Sequence, residues 1–192
     1  MLKKKNLFII ISIVLIDQIS KILIVHFFKI NEEFRVMGEI FKITFILNDG
    51  FAMNTTLIEG EYGKLLSNLM RVLLVIGAFS YYWYEVRTKY RSEFILPCII
   101  AFSGAIGNLI DNFFYGLWFG LTSPNAPMLF LHGQVVDMLH INIWQGEVAQ
   151  LGGRYFTIFP IFNIADLAMF IGVAFVVYYS VKFGKNYKKS QL

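Results

Sequence analysis

The sequence predicts an all-α membrane protein with four transmembrane helices, a small extracytoplasmic β-rich segment and an extracytoplasmic loop. Three observations predict it. Hydrophobic residues fill 57% of the 192 positions and charged residues 16%, with a mean hydropathy of +0.60; soluble domains are usually about 45–50% apolar and about 25% charged. The apolar residues gather in four long runs separated by short charged stretches. Basic residues stand at alternate ends of those runs.

The first run, Leu7 to Phe28, covers the roughly 20 residues that a bilayer core needs. It follows Lys3, Lys4 and Lys5, as a secretory leader would. Its length and the lack of a small-residue cleavage site mark it instead as a retained first helix. The second run spans about 65–84 and ends in the cluster Tyr81, Tyr82, Trp83, Tyr84. The third spans about 94–115 and the fourth about 156–183. Aromatic rings at the ends of such runs are typical anchors at the lipid–water boundary.

Arg87, Lys89 and Arg91 lie between the second and third runs, and Lys185, Lys188 and Lys189 lie at the end of the fourth. An even number of spans puts these and the basic N-terminus on one side, which the positive-inside rule makes cytoplasmic. The connections at about 29–64 and 116–155 are then exterior. The whole chain, 1–192, reads as a single integral membrane domain. The formal charge of +4 therefore reflects membrane topology and not a nucleic-acid partner.

The first exterior segment holds a strand-like patch, Ile40 to Ile46, with partly alternating apolar and polar residues. It ends at the turn signal Asn48-Asp49-Gly50. The second exterior segment, with Pro124, Asn125, Pro127, Gly146, Gly152 and Gly153, reads as loops. Cys98, the one cysteine, excludes an internal disulfide and reads as a small buried hydrophobe.

Charges inside a membrane are costly and usually functional, so the acids in these runs are the most informative residues. Asp17 and Lys21 are one helical turn apart in the first run, and their plainer reading is an ion pair that fixes packing. Asn108 and Asp111 share a face near the outer end of the third, as a polar brace or as direct participants. Asp137 follows Val135 and Val136. Asp166 falls about a third of the way into the fourth run, well beyond its start. Two carboxylates brought together in a low dielectric share a proton, so one can activate water while the other polarises a carbonyl. Spacing alone does not bring them together.

At these residues the sequence resembles the lipoprotein signal peptidases (signal peptidase II) over nearly its whole length. The matching pieces are Asp17-Gln18 with Lys21, Asn48-Asp49-Gly50 with Ala52, Gly107-Asn108 with Asp111, Val135-Val136-Asp137, and Phe162-Asn163 with Ala165-Asp166. The resemblance implies that Asp137 and Asp166 are a catalytic dyad. It implies that Asn48, Gly50, Asn108, Asp111 and Asn163 organise the site or bind substrate, and that Asp17 and Lys21 are supportive. The substrate implied is a diacylglyceryl-modified prolipoprotein, cut just before its lipidated cysteine. The setting implied is the bacterial inner membrane, with both termini cytoplasmic and the site near the outer face. No metal or cofactor is called for, and the partners are membrane lipids and substrate around a monomer.

The sequence also departs from the family pattern. Asn112 stands where arginine is usual, Leu167 where serine is common, and Phe51 and Met53 alter the Asn48 piece. The stretches from Asp111 to Asp137 and from Asp137 to Asp166 are long. The first of these carries Trp118, Phe119, Phe130 and Leu131, which either dip into lipid, cover the substrate groove or sit as interfacial aromatics on a peripheral loop.

Two other classes compete. A metal-dependent membrane hydrolase would use His132, Asp137 and His140, although their spacing matches no metalloprotease helix. His26, at a helix end, reads as an interfacial residue. A proton-coupled transporter would use Asp17, Asp111 and Asp166. Four helices are few for that, and the acids cluster in the outer half.

Overall fold

Helix α1, Lys4–Phe27, has 24 residues and is about 36 Å long at 1.5 Å per residue, enough to cross a hydrocarbon core. It belongs to a computed structural model that describes residues 4–49, 69, 72–73, 76–77, 79–80, 83–84, 92–122, 126–143, 145–148, 154–157 and 160–189. Among these, three helical stretches are long and apolar enough to cross a membrane: Lys4–Phe27, Ile95–Phe119 and Ile164–Phe183. Residues 69, 72–73, 76–77, 79–80 and 83–84 are helical. The rest of the second run, and so that run as a continuous span, lies outside the described residues. So does the basic turn 85–91.

The chain divides into two compact units. The first comprises residues 1–18, 65–110 and 164–192. A short 3₁₀ turn, Ser92–Phe94, leads into α2, Ile95–Ile110. Helix α2 packs on the last helix, whose first residue is Ile164 and which runs to Lys189. Small residues let the two backbones approach, as is common in membranes. A methyl group at Gly104 would strike the carbonyl of Ala165 and sit 2.9 Å from Met169 Cγ. Cys98 and Ile99 are buried with Ile9, Ile10, Ile95 and Val176 around them. Cys98 thus packs as a small hydrophobe. Phe94 closes the other end of this core, 5.9 Å from the ring of Tyr179. The outward faces carry Phe8, Leu15, Phe170 and Val177, all exposed, which is the surface that a lipid-facing helix presents.

The fourth helix begins later than the hydropathy implies. Residues 154–157 are strand, Phe162 forms a bridge with Leu139, and helix starts at Ile164. Pro160 cannot donate a helical hydrogen bond, and the apolar residues around it serve a different element. Asp166 is therefore in the first turn of the helix, not a third of the way down it.

The second unit comprises residues 19–64 and 111–163. Its centre is an antiparallel sheet of β1 (Glu33–Met37), β2 (Phe41–Asn48) and β3 (Val135–Ile141), in that order. The strand expected at Ile40–Ile46 is β2, shifted slightly along the chain. The segment 116–155, read as loops, instead supplies β3 and β4 (Gln145–Val148), which pairs antiparallel with β5 (Arg154–Thr157). The run of β-branched and large apolar residues in Val135–Ile141 suits a pleated, half-buried surface. The Gly and Pro residues around it obscured that signal. Before the sheet, Asp111–Tyr115 is a π-helical turn, followed by α3, Gly116–Phe119. The last helix, Ile164–Lys189, is called α4 from here on.

Charged groups line one end of this sheet. Lys42 Nζ lies 2.7 Å from Glu39 and 3.0 Å from Glu33. Those bonds, Glu39 first, raise the lysine above its usual range, and the same bond lowers Glu39. Across from Lys42 in the register is His140, whose Nδ1 is 3.2 Å from Thr44 Oγ1. Burial pushes the His140 imidazole down, Lys42 pushes it further, and Glu33 opposes. With the folded value below the unfolded one, the unfolded chain takes the proton first as pH falls. Stability from this group should be complete above about pH 6.5 and lost as pH falls below it. Melting temperatures across that window should fall for the natural chain and less steeply for His140→Gln. Parallel profiles would remove His140 as the cause.

Candidate active site

In the second unit, Asp137 is held by amides on both sides. Asn48 Nδ2 donates to its Oδ2 at 2.9 Å, and Asn163 Nδ2 donates to its Oδ1 at 2.7 Å. These donors come from the end of β2 and from the residue before α4, so three distant stretches meet at one buried carboxylate. The sheet explains how. Asn48 pairs with Val135 and Ile46 with Asp137, and β2 has an extra residue between Ile43 and Ile46. Such bulges re-aim side chains and are frequent beside active sites. Phe162 is stitched to β3 by its N–H to the Leu139 carbonyl at 3.1 Å and by the Leu139 N–H to its carbonyl at 2.7 Å. That fixes Asn163, the next residue.

Behind Asp137 lies an ion pair. Lys21 Nζ is 2.7 Å from Asp111 Oδ2, with both side chains 0% exposed. Asp111 Oδ2 also accepts the N–H of Val136 at 3.3 Å, one residue before Asp137. The structure brings Lys21 to Asp111, 90 positions along the chain, a partner that the sequence reading did not name. The pair thus bears on the strand that carries Asp137. A strap, Leu131–Gly133, holds the π-turn in place: Gly133 N–H donates to the Asn112 carbonyl at 3.0 Å and Leu131 N–H to Phe113 at 3.2 Å. Gly133 is required for that approach, because a Cβ there would collide with the Asp111 carbonyl and lie 3.1 Å from Gly116 N. The buried residue Asn112, where arginine was usual, packs in this turn. π-turns of this kind recur at functional sites.

In the first unit, Asp166 Oδ1 accepts from Asn108 Nδ2 at 2.8 Å. First-turn acids face the positive end of the helix dipole. Asp17, fully buried, accepts the Ala165 N–H at 2.8 Å, so it satisfies one of the donors that a helix leaves unpaired at its start. Gln18 donates to Asp17 at 3.1 Å and to the Gly107 carbonyl at 3.2 Å. A Cβ on Gly107 would sit 2.6 Å from Asp17 Oδ2, which explains a glycine beside Asn108. Asp17 is thereby a brace for the start of α4.

Of the expected site residues, Asn48 and Asn163 gather on Asp137, Lys21 on Asp111, and Asn108 on Asp166; Gly50 lies outside the described residues. Sequence reading missed Gln18's two bonds and the Asp49–Gln134 contact at 2.9 Å. Gln18 and Asp49 lie within motif pieces and Gln134 just before one, which was the available signal. The proposed metal ligands point elsewhere: His132 Nδ1 is 3.1 Å from the Phe130 carbonyl and His140 faces Thr44. Among the described residues, no group of three or more His, Cys, Asp or Glu is placed to hold a metal ion.

Comparison with known proteins adds to this geometry. The family model for signal peptidase (SPase) II matches residues 9–182. A lipoprotein signal peptidase of Amoebophilus asiaticus is 32% identical over 171 residues, covering 85% of this chain and 72% of the relative. One from Chlorobium phaeobacteroides is 29% identical, covering 86% and 83%. Two solved structures of bacterial membrane enzymes share the fold, at 24% identity each. The first has a TM-score of 0.69 and covers 96% of this chain and 92% of its own. The second has 0.66 and covers 94% and 95%.

Proposed function

The chain belongs to the signal peptidase II family, and from that premise we propose that it removes the signal peptide from diacylglyceryl-modified prolipoproteins as an aspartic endopeptidase. Membership makes it a membrane peptidase; the reacting groups and substrate are the proposal. The observation that carries it is the grip of asparagine amides on two acids, Asn48 and Asn163 on Asp137 and Asn108 on Asp166. Such grips orient a carboxylate while leaving lone pairs for substrate. Covalent connection supports a shared role for the two acids, since Asn163 precedes Asp166 by only three residues, a reach of at most about 11 Å.

In this reading one carboxyl group takes a proton from water, and the hydroxide so formed adds to the carbonyl before the modified cysteine. The other carboxyl group, protonated, polarises that carbonyl. The tetrahedral intermediate then expels the cysteine nitrogen, which receives a proton from the pair as the C–N bond breaks. No metal or cofactor enters these steps. The enzyme would act as a monomer in the bacterial inner membrane, with four spans, cytoplasmic termini and the pair near the outer face. A bilayer then confines substrate to the plane of the site, which is a positioning effect.

Purified protein in detergent, given lipidated and unlipidated precursors at matched concentration, tests the reading. The lipidated precursor should be cut before its cysteine and the unlipidated one at least about tenfold more slowly, a loss of positioning. Equal rates would point to a general membrane protease.

A further inference from the structure

The 23 residues from Asn112 to Gln134 contain no Asp, Glu, Lys or Arg. Their described part folds back on itself. Phe114 stacks on Trp118 at 5.1 Å, and Phe130 returns to lie 5.8 Å from both Phe113 and Phe114. Gly116 packs directly under the carbonyl of Leu129. The result is one apolar face with Leu117, Trp118, Met128, Leu129 and Phe130 on its outside; Trp118 is 56% and Leu129 51% exposed.

We propose that this face is seated in the interfacial layer of the bilayer, with phospholipid as its occupant. Three observations favour lipid over protein. Its first residues, Leu117 to Phe119, belong to the helical stretch Ile95–Phe119, which is long and apolar enough to cross a membrane. Protein interfaces carry a polar rim in which charged side chains are common, and no Asp, Glu, Lys or Arg falls between Asn112 and Gln134. Its aromatic content, with an indole ring half free, suits the headgroup level, where a ring can be buried while its N–H stays hydrated. The same strap leads through Gly133 into β3. Seating it in lipid therefore sets the height of Asp137 above the bilayer, a consequence that rests on the proposed cleavage.

The test uses the full chain with Trp83→Phe and Trp144→Phe, leaving Trp118 as the fluorophore. It is reconstituted in phosphatidylcholine–phosphatidylglycerol vesicles with bromine on the acyl chains, either near the glycerol or near the chain middle. Strong quenching by the shallow bromine, weaker by the deep one and little by aqueous iodide is expected. Iodide quenching without a bromolipid effect overturns the proposal. Protection from both quenchers, with a cross-linked dimer from Leu129→Cys, also overturns it and assigns the face to a second copy. A further arm compares Trp118→Ser/Leu129→Ser with the natural chain on lipidated precursor. Turnover should fall about 10–100-fold in vesicles, as misplacement of reacting groups does, and much less in detergent. Equal loss in both media overturns the height-setting role. If the natural chain cuts nothing, the cleavage reading fails, and the quenching data still decide the lipid seat.

Discussion

Asp137→Asn and Asp166→Asn are each expected to lower turnover of lipidated precursor by about 10²–10⁴-fold, the usual contribution of a positioned acid or base. Asparagine keeps the shape of aspartate but can neither take nor give the proton. At position 166 the substituted amide oxygen can still accept from Asn108, which now donates at 2.8 Å, so folding should be little disturbed. At position 137 two amide donors converge, and asparagine offers one oxygen and one NH₂ to them. One contact becomes donor against donor, at a cost of about 1–3 kcal/mol for an unsatisfied buried group. Asp137→Asn should therefore show a modest fall in melting temperature as well as inactivity, and Asp166→Asn inactivity alone. Turnover per folded molecule, with thermal melts on the same samples, separates the effects. Residual turnover within tenfold of the natural chain, in either variant, would remove that residue from the chemistry.

The second large effect concerns stability. Lys21→Met takes the lysine away from Asp111 in a pair with no exposed surface, and breaking a buried pair from one side costs about 3–5 kcal/mol. The substitution should lower the yield of folded protein severely. Adding Asp111→Asn to Lys21→Met removes the stranded charge and keeps an oxygen for the Val136 N–H, so much of the loss should return. Asp17→Asn should be milder, because Lys21 retains Asp111 and an amide oxygen can accept from Ala165. Melting temperatures of the three variants give the ranking. A Lys21→Met protein as stable as the natural chain, or a double variant no better than the single, would show that the pair does not hold the fold together.

The candidates for the first prediction, Asp137 and Asp166, were visible in the sequence as acids beside apolar runs, with Asn48, Asn108 and Asn163 near them in recognisable motifs. The second came from the fold, since the i,i+4 rule paired Lys21 with Asp17 and no local rule points from Lys21 to Asp111. Hydropathy located the long apolar helices Lys4–Phe27 and Ile95–Phe119 well. It misplaced the start of α4, because an apolar run reads alike whether it is helix, buried strand or both. Phe156 is strand, Phe162 bridges β3, and only from Ile164 is the run helical.

Composition and order by themselves determined that this chain enters a membrane, where its apolar runs fall, and which acids and asparagines are candidates for chemistry. Those properties are readable because the cost of placing a side chain in hydrocarbon is set largely by its own chemistry. The tertiary structure decided which amide grips which carboxylate, that β3 brings Asp137 beside Asn48, and that Lys21 answers Asp111. Such partnerships join residues 26 to 90 positions apart. A hydrogen bond is made or lost within a fraction of an ångström, and that depends on bulges, turns and close glycine contacts whose combined effect no local pattern records.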